Sequence, residues 1–327
     1  DADAVGLWQN HGNARAQTDF RGAFLDTKAV DGAGEYLWHF HRNKHGEKLG
    51  FERCGPELDC WFGPPKLVSS KAIIKDGPYA VRLSDNNSLV LFSQADGQGA
   101  SRVAYVKVSG DTLTAPKIFD GIDAIKFGPA GINSGSGLWI FYVDSVSAHL
   151  TACRTVGGTC AQTYEIPGGI PSGSPAIIER GGRFWLFWPQ ENLITFTSSS
   201  NLEENDSWKP PKTLPMKDDW GMPPFSNNAV SVANAFGRTY LSYLFHNPNV
   251  PDEDEESTRG ITIVSFDLDG EYGDISGLSR AVIQNHGNER MVPQASVSPG
   301  TLYEWRSKLW LGYQLDRVYF KQQKGGQ

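Results

Sequence analysis

The heptapeptide Gln9-Asn-His-Gly-Asn-Ala-Arg15 returns near the other end of the chain as Gln284-Asn-His-Gly-Asn-Glu-Arg290, changed at one position of seven. Each copy carries an imidazole followed by a guanidinium. Side chains of these types donate hydrogen bonds to a carbonyl or anionic oxygen, which makes His11, His286, Arg15 and Arg290 the candidate catalytic donors. A structural reading of the duplicate stays open: Gly12 and Gly287 would supply unusual backbone angles to a turn whose amides bond the main chain.

The elements that must carry these groups are legible as six short apolar bursts: Tyr36-Leu-Trp-His-Phe40, Leu89-Val-Leu-Phe92, Leu138-Trp-Ile-Phe-Tyr142, Phe184-Trp-Leu-Phe-Trp188, Tyr240-Leu-Ser-Tyr243 and Leu309-Trp-Leu-Gly-Tyr313. Each is too short for a helix, rich in residues that suit a pleated surface, and bounded by turn formers. A repeat of roughly fifty residues built from short strands predicts an all-β, six-bladed β-propeller of four-stranded antiparallel blades around a central channel. Residues 1–327 are expected to form one domain, with the first and last blades adjacent at a seam.

Innermost strands are expected near Phe20 to Leu25, Tyr79 to Leu83, Ala124 to Phe127, Pro175 to Ile178, Ala229 to Val232 and Gln294 to Val297. The bursts are then second strands. Their polar ends, His41, Gln94, Asp144, Gln190, His246 and Gln314, should surround the channel mouth that the duplicated segments also approach. With Trp188 at the end of its burst, they are the candidate substrate-binding residues, because pockets combine apolar walls with a few convergent polar groups. His39 leaves the face used by Trp38 and Phe40 and reads as a packing residue. His45, in a turn rich in Lys and Gly, reads as exposed.

Several chemistries lack their signatures. No Gly-x-Ser-x-Gly elbow, His-Glu-x-x-His pair or phosphate-cradling glycine loop occurs, so no metal and no cofactor is expected. Glycoside hydrolysis needs two carboxylates flanking a bond, for which Asp19, Asp26, Asp123, Asp144 and Glu179 are candidates. The acidic run Asp252-Glu-Asp-Glu-Glu256 reads as a solvated loop, with a calcium site as the minor alternative.

A formal charge of −7 with dispersed basic residues argues against a nucleic-acid partner, and no apolar run reaches membrane-spanning length. Cys54 with Cys60 and Cys153 with Cys160 form two local couples that could each close a hairpin loop. Neither couple has zinc-site spacing. The sequons at Asn86 and Asn205 are candidate glycosylation sites. Together these features favour a eukaryotic secretory protein whose signal, if any, has been removed.

The bursts Gly137-Leu-Trp-Ile-Phe-Tyr142 and Arg183-Phe-Trp-Leu-Phe-Trp188 resemble those of the six-bladed fungal fucose lectins. Such lectins repeat an Arg, Glu and Trp set between blades, and that set does not recur here. Avidity needs identical pockets, so divergent blades point to a single site. In architecture, size, cysteine usage and sequons the chain also resembles the fungal hetero-Diels-Alderases of tropolone sesquiterpenoid pathways. No catalytic motif is matched residue by residue. The latter resemblance implies a secreted, cofactor-independent enzyme that joins two small apolar substrates at the channel mouth. A glycan-binding lectin is the alternative, and a propeller glycosidase or polysaccharide lyase the third reading.

Overall fold

The computed structural model describes residues 8–14, 22–28, 34–43, 48–55, 66–69, 74–215, 229–246, 259–281, 300–314 and 318–323. Within them the strands group into six antiparallel sheets. The first blade holds β2 (Ala23–Lys28), β3 (Glu35–Asn43), β4 (Lys48–Cys54) and β5 (Lys66–Leu67), and the second holds β6 (Ile74–Ser84), β7 (Asn87–Ala95), β8 (Ser101–Ser109), β9 (Thr112–Leu113) and β10 (Lys117–Ile118). The third is β11 (Ala130–Ser134), β12 (Gly137–Val143), β13 (Leu150–Val156) and β14 (Thr159–Glu165). The fourth is β15 (Ala176–Arg180), β16 (Arg183–Gln190), β17 (Leu193–Ser199) and β18 (Lys212–Thr213). The fifth is β19 (Val230–Ala235), β20 (Arg238–His246), β21 (Arg259–Asp269) and β22 (Asp274–Ala281). The sixth is β23 (Thr301–Trp305), β24 (Lys308–Gln314) and β25 (Val318–Gln323), completed on its outer edge by β1 (Trp8–Ala14).

Innermost strands touch in a closed cycle, β2 to β6, β11, β15, β19, β23 and back to β2. The ring is therefore a six-bladed propeller, closed by an N-terminal strand that pairs with β25. Alternation on the second strands explains the packing, because successive side chains leave a strand on opposite faces. Trp38 and Phe40 of β3 meet Val90 and Phe92 of the second blade, while Trp139 and Phe141 meet Leu186 and Trp188 of the fourth. Each pair of neighbouring blades shares one such apolar cluster.

Where the innermost strands begin, here called the upper face, hydrogen bonds stitch blade to blade. Gly22 N donates to Thr301 Oγ1 at 2.8 Å and Leu302 N to Ser231 Oγ at 3.0 Å. Asp76 Oδ2 accepts from Gly128 N at 2.6 Å and Ser174 Oγ at 2.9 Å, joining three blades, while its Oδ1 takes Gly77 N at 2.6 Å. A hydrogen bond to a charged group is worth about 1.5–3 kcal/mol. Asp76→Ala should accordingly lower unfolding free energy by about 3 kcal/mol in urea titrations, with Asp76→Asn losing clearly less.

The second strands lie where the bursts predict. Two innermost strands do not. The third is β11 at Ala130–Ser134 rather than Ala124 to Phe127; Ile125 instead bridges Asp144, and Lys126 N donates to Val143 O at 2.9 Å beside the upper end of β12. The sixth is β23 at Thr301–Trp305, and Gln294 to Val297 fall outside the described residues.

Cys153 and Cys160 form a disulfide across the β13–β14 hairpin. Cys54 is also disulfide-bonded, and Cys60 falls outside the described residues. No helix among the described residues is long and apolar enough to cross a membrane.

Candidate functional site

Counting back from each hairpin, the third residue from the end of the six innermost strands is Asp26, Arg82, Ile132, Ile178, Ala233 and Tyr303. Near the lower face, where the innermost strands end, Asp26, Arg82 and Tyr303 interlock. Ile132 and Ile178 line a cavity beside them, whereas Ala233 is buried between the fifth and sixth blades. Arg82 donates to Asp26 Oδ1, the Tyr303 hydroxyl donates to the same oxygen, and Arg82 Nη2 lies 3.4 Å from the Tyr303 hydroxyl. The three side chains come from the second, first and sixth blades, so only ring closure assembles them.

Burial pushes the Tyr303 phenol above its ordinary range, and the Asp26 charge adds to the effect. For Arg82, burial alone would lower the pKa, yet Tyr303 and Asp26 outweigh it and raise it. Arg82 is therefore a permanent cation whose side chain remains 49 % exposed, whereas Asp26 is 15 % exposed. A guanidinium has five N–H donors. Asp26 and Tyr303 fix its orientation and leave donors for a ligand.

Beside this network lies a cavity of about 440 Å³ between the second, third and fourth blades. Its walls include Tyr79, Ala80, Ile132 and Ile178, and its polar groups include Arg82 and Glu179. Tyr79 reaches past the third blade to the fourth: its hydroxyl donates to Ile177 O at 2.6 Å and accepts from Ile177 N at 3.1 Å. An apolar wall, one fixed cation and enough volume for a small organic ligand have the character of a binding pocket.

A second polar cluster sits in the seam. His39 and His41 leave β3 on the face opposite Trp38 and Phe40, at positions equivalent by register to Ile140 and Tyr142 or Leu186 and Trp188 in the third and fourth blades. Glu52 of β4 pairs with His39 in the ladder, and all three side chains are buried. His41 Nε2 lies 3.3 Å from Glu52 Oε1, and His39 Nδ1 lies 3.9 Å from Oε2. Glycines make the space: a Cβ at Gly22 would fall 2.4 Å from His39 Nε2, and one at Gly50 2.5 Å from His41 Cε1. Gly312 of the sixth blade faces His39 across the seam.

Burial works against the Glu52 charge, but its contacts with His39 and His41 prevail and hold the carboxyl below the ordinary carboxylate range. Burial pulls His39 below the ordinary imidazole range despite Glu52. At neutral pH the seam therefore encloses a carboxylate against a neutral His39.

The structure distributes the sequence candidates unevenly. His11 lies on β1, at a bulge between Asn10 and Asn13, so the first heptapeptide is an outermost strand rather than a turn at the mouth. Arg15, His286 and Arg290 fall outside the described residues, as do Asp19, His45 and the acidic run of residues 252–256. His41 is not a ligand contact, because it is enclosed with Glu52. Trp188 is fully buried between the third and fourth blades, where its Nε1 donates to Gln190 Oε1 at 2.9 Å. Both corrections have one cause: alternation turns the last residues of these bursts into neighbouring blades before the strand ends.

Asp144 caps its own turn, accepting from Val146 N at 2.9 Å and Ser147 N at 2.7 Å. Those bonds, the one from Ser147 first, hold its carboxyl below the usual range. Gln94 is half-buried on β7. His246 ends β20 and Gln314 ends β24, with their backbones paired to Arg259 and Val318. Asn86 is exposed in a turn, and Asn205 is exposed at the start of a short 3-10 helix, Asn205–Ser207. Asp26 and Glu179 do reach the channel, whereas Asp123 is exposed. Arg82 and Tyr303 were not among the candidates, although each lies at a fixed step before a two-residue turn.

No family model and no curated protein matches the chain. Solved structures do. An α-L-arabinofuranosidase from Lactobacillus brevis superposes with a TM-score of 0.53 at 14 % identity, over 80 % of this chain and 93 % of that one. A sialidase from Trypanosoma rangeli gives 0.52 at 11 % identity, over 97 % of this chain and 57 % of its own length. The fucose-specific lectin from Aleuria aurantia gives 0.50 at 14 % identity, over 84 % and 82 %. Identities this low establish the fold alone. The chain is a β-propeller, sharing its architecture with glycosidases and a fucose lectin.

Proposed function

We propose that the protein is a secreted, cofactor-independent enzyme that couples two small, largely apolar substrates by an intermolecular hetero-Diels-Alder cycloaddition in fungal natural-product biosynthesis. The observation that carries this reading is the asymmetry of the channel. The polar trio Asp26, Arg82 and Tyr303 stands beside a cavity of about 440 Å³ whose apolar wall is Tyr79, Ile132 and Ile178. Among the described residues such a trio occurs once, unlike the repeated pockets of a multivalent binder.

The reaction consumes a C=C–C=O heterodiene and an alkene. It forms one C–C and one C–O bond from three π bonds, leaving one π bond, with no leaving group and no net proton transfer. Orientation of the two partners can lower such a barrier by about 7–11 kcal/mol at best. Ile132, Ile178 and Tyr79 hold the hydrocarbon partner. Arg82 donates to the heterodiene oxygen, on which negative charge builds as the bonds form, and a preorganised donor of this kind contributes about 3 kcal/mol. Asp26 and Tyr303 act as positioning residues through Arg82. Arg15, His286 and Arg290, which fall outside the described residues, remain proposed donors.

Glu179 lines the same cavity and Asp26 stands at its polar side, which favours glycoside hydrolysis as the second reading. Incubating the protein with an ortho-quinone methide generated in situ and a macrocyclic alkene distinguishes the two. The proposal expects a cycloadduct formed faster than in buffer and enriched in one stereoisomer. Hydrolysis of aryl glycosides without any adduct would replace it with the second reading.

A further inference from the structure

We infer that the lower face carries a second binding site, across the fourth, fifth and sixth blades, in which Phe236 stacks on one pyranose residue of a glycan. The turn joining β19 and β20 is the two-residue loop Phe236-Gly237, with φ of 49° and 75°. Hairpins of this type favour Asn-Gly or Gly-Gly, and the fourth blade uses Gly181-Gly182 at 62° and 71°. A bulky residue with positive φ is unfavourable and uncommon. Phe236 meets the buried Tyr240 ring edge to face, with centroids 6.4 Å apart, yet 44 % of it remains exposed.

Phe236 opens onto a cavity of about 390 Å³ lined also by Arg180, Asn234, Ala235, Gly237 and Glu304. None of these residues lines the channel cavity. The polar members are already oriented. Arg180 donates to Gly237 O and, at 3.3 Å, to Thr239 Oγ1; Asn234 Nδ2 donates to Glu179 O at 3.0 Å; Glu304 Oε1 accepts from Ser307 N at 2.8 Å. Arg180 keeps further N–H donors, and Glu304 keeps Oε2.

A pyranose matches this arrangement on both counts. Its face of C–H bonds carries slight positive charge and lies against the negative face of an aromatic ring. Its hydroxyls each need a donor and an acceptor, which Arg180 and Glu304 supply. A purely apolar partner would leave the guanidinium and carboxylate unpaired on binding, which opposes it.

Saturation-transfer NMR and calorimetry on the full chain, using methyl pyranosides of fucose, galactose, glucose, mannose and xylose as probes, test the site. At least one of these should bind with one equivalent per chain. Phe236→Asn should weaken that binding at least tenfold while raising Tm by about 1–3 °C, because Asn suits the turn better. Arg82→Ala should leave it unchanged, which separates this site from the channel. Absence of pyranoside binding, unchanged affinity in Phe236→Asn, or equal loss in Arg82→Ala would each overturn the proposal.

Discussion

Arg82→Ala is expected to reduce cycloadduct formation by about 10²- to 10³-fold, the loss seen when one preorganised donor to a developing oxyanion is removed. The effect should appear in the rate with both substrates saturating, since the donor acts on charge that builds only in the transition state. Stability should change far less. The guanidinium is half exposed, and exposed ion pairs contribute about 0–1 kcal/mol. Tyr303→Phe provides the companion result. It removes a bond to the Asp26 carboxylate without touching substrate, so it should lower the rate by about tenfold and also lower Tm by a few degrees, since a hydrogen bond to a charged group is worth about 1.5–3 kcal/mol. Stopped-flow or quenched assays beside thermal melts would separate the two effects.

Glu52→Ala is expected to cost about 3–5 kcal/mol of stability, because deleting one member of a buried polar cluster strands the others away from water. The same cluster sets an acid sensitivity. His39 is depressed in the folded state, so its contribution is complete above an unfolded pKa of 6.5 and is lost as pH falls below it. Glu52 is depressed too, so its contribution is complete above 4.5 and is lost as pH falls through its folded value. Both signs agree, and Tm should fall steadily from pH 7 to pH 4. Replacing the trio by apolar residues like those at equivalent places in other blades, His39→Leu with His41→Phe and Glu52→Val, should flatten that decline. At pH 7 such a variant should be about as stable as the wild type, since well-packed apolar substitutes for buried charges are often neutral or better. A pH profile of Tm for both proteins checks the sign and the window together.

The blades were legible because Trp38, Trp139, Trp185 and Trp310 recur in runs that can only be buried strands. Their innermost partners were less so, since a short strand such as Ala130–Ser134 carries little apolar signal. The turn after it, Gly135-Ser136, was the better marker: counting back from the turn gives the strand that the apolar segment Ala124 to Phe127 imitated. The seam cluster left a trace in the alternation of His39 and His41 with Trp38 and Phe40. What sequence lacked was register, which sets Glu52 opposite His39 and the small Gly50 opposite His41. The channel network of Asp26, Arg82 and Tyr303 needs ring closure between the first, second and sixth blades, and no local pattern encodes that.

The most direct measurement compares the wild type with Ile178→Trp, a substitution that fills the channel cavity, in the reaction of an ortho-quinone methide with a macrocyclic alkene. The wild type should accelerate adduct formation and give predominantly one stereoisomer, whereas Ile178→Trp, with Tm retained, should return the rate and isomer ratio of buffer. A racemic product at the buffer rate from the wild type, or undiminished selectivity from Ile178→Trp, would contradict a reaction housed in the channel.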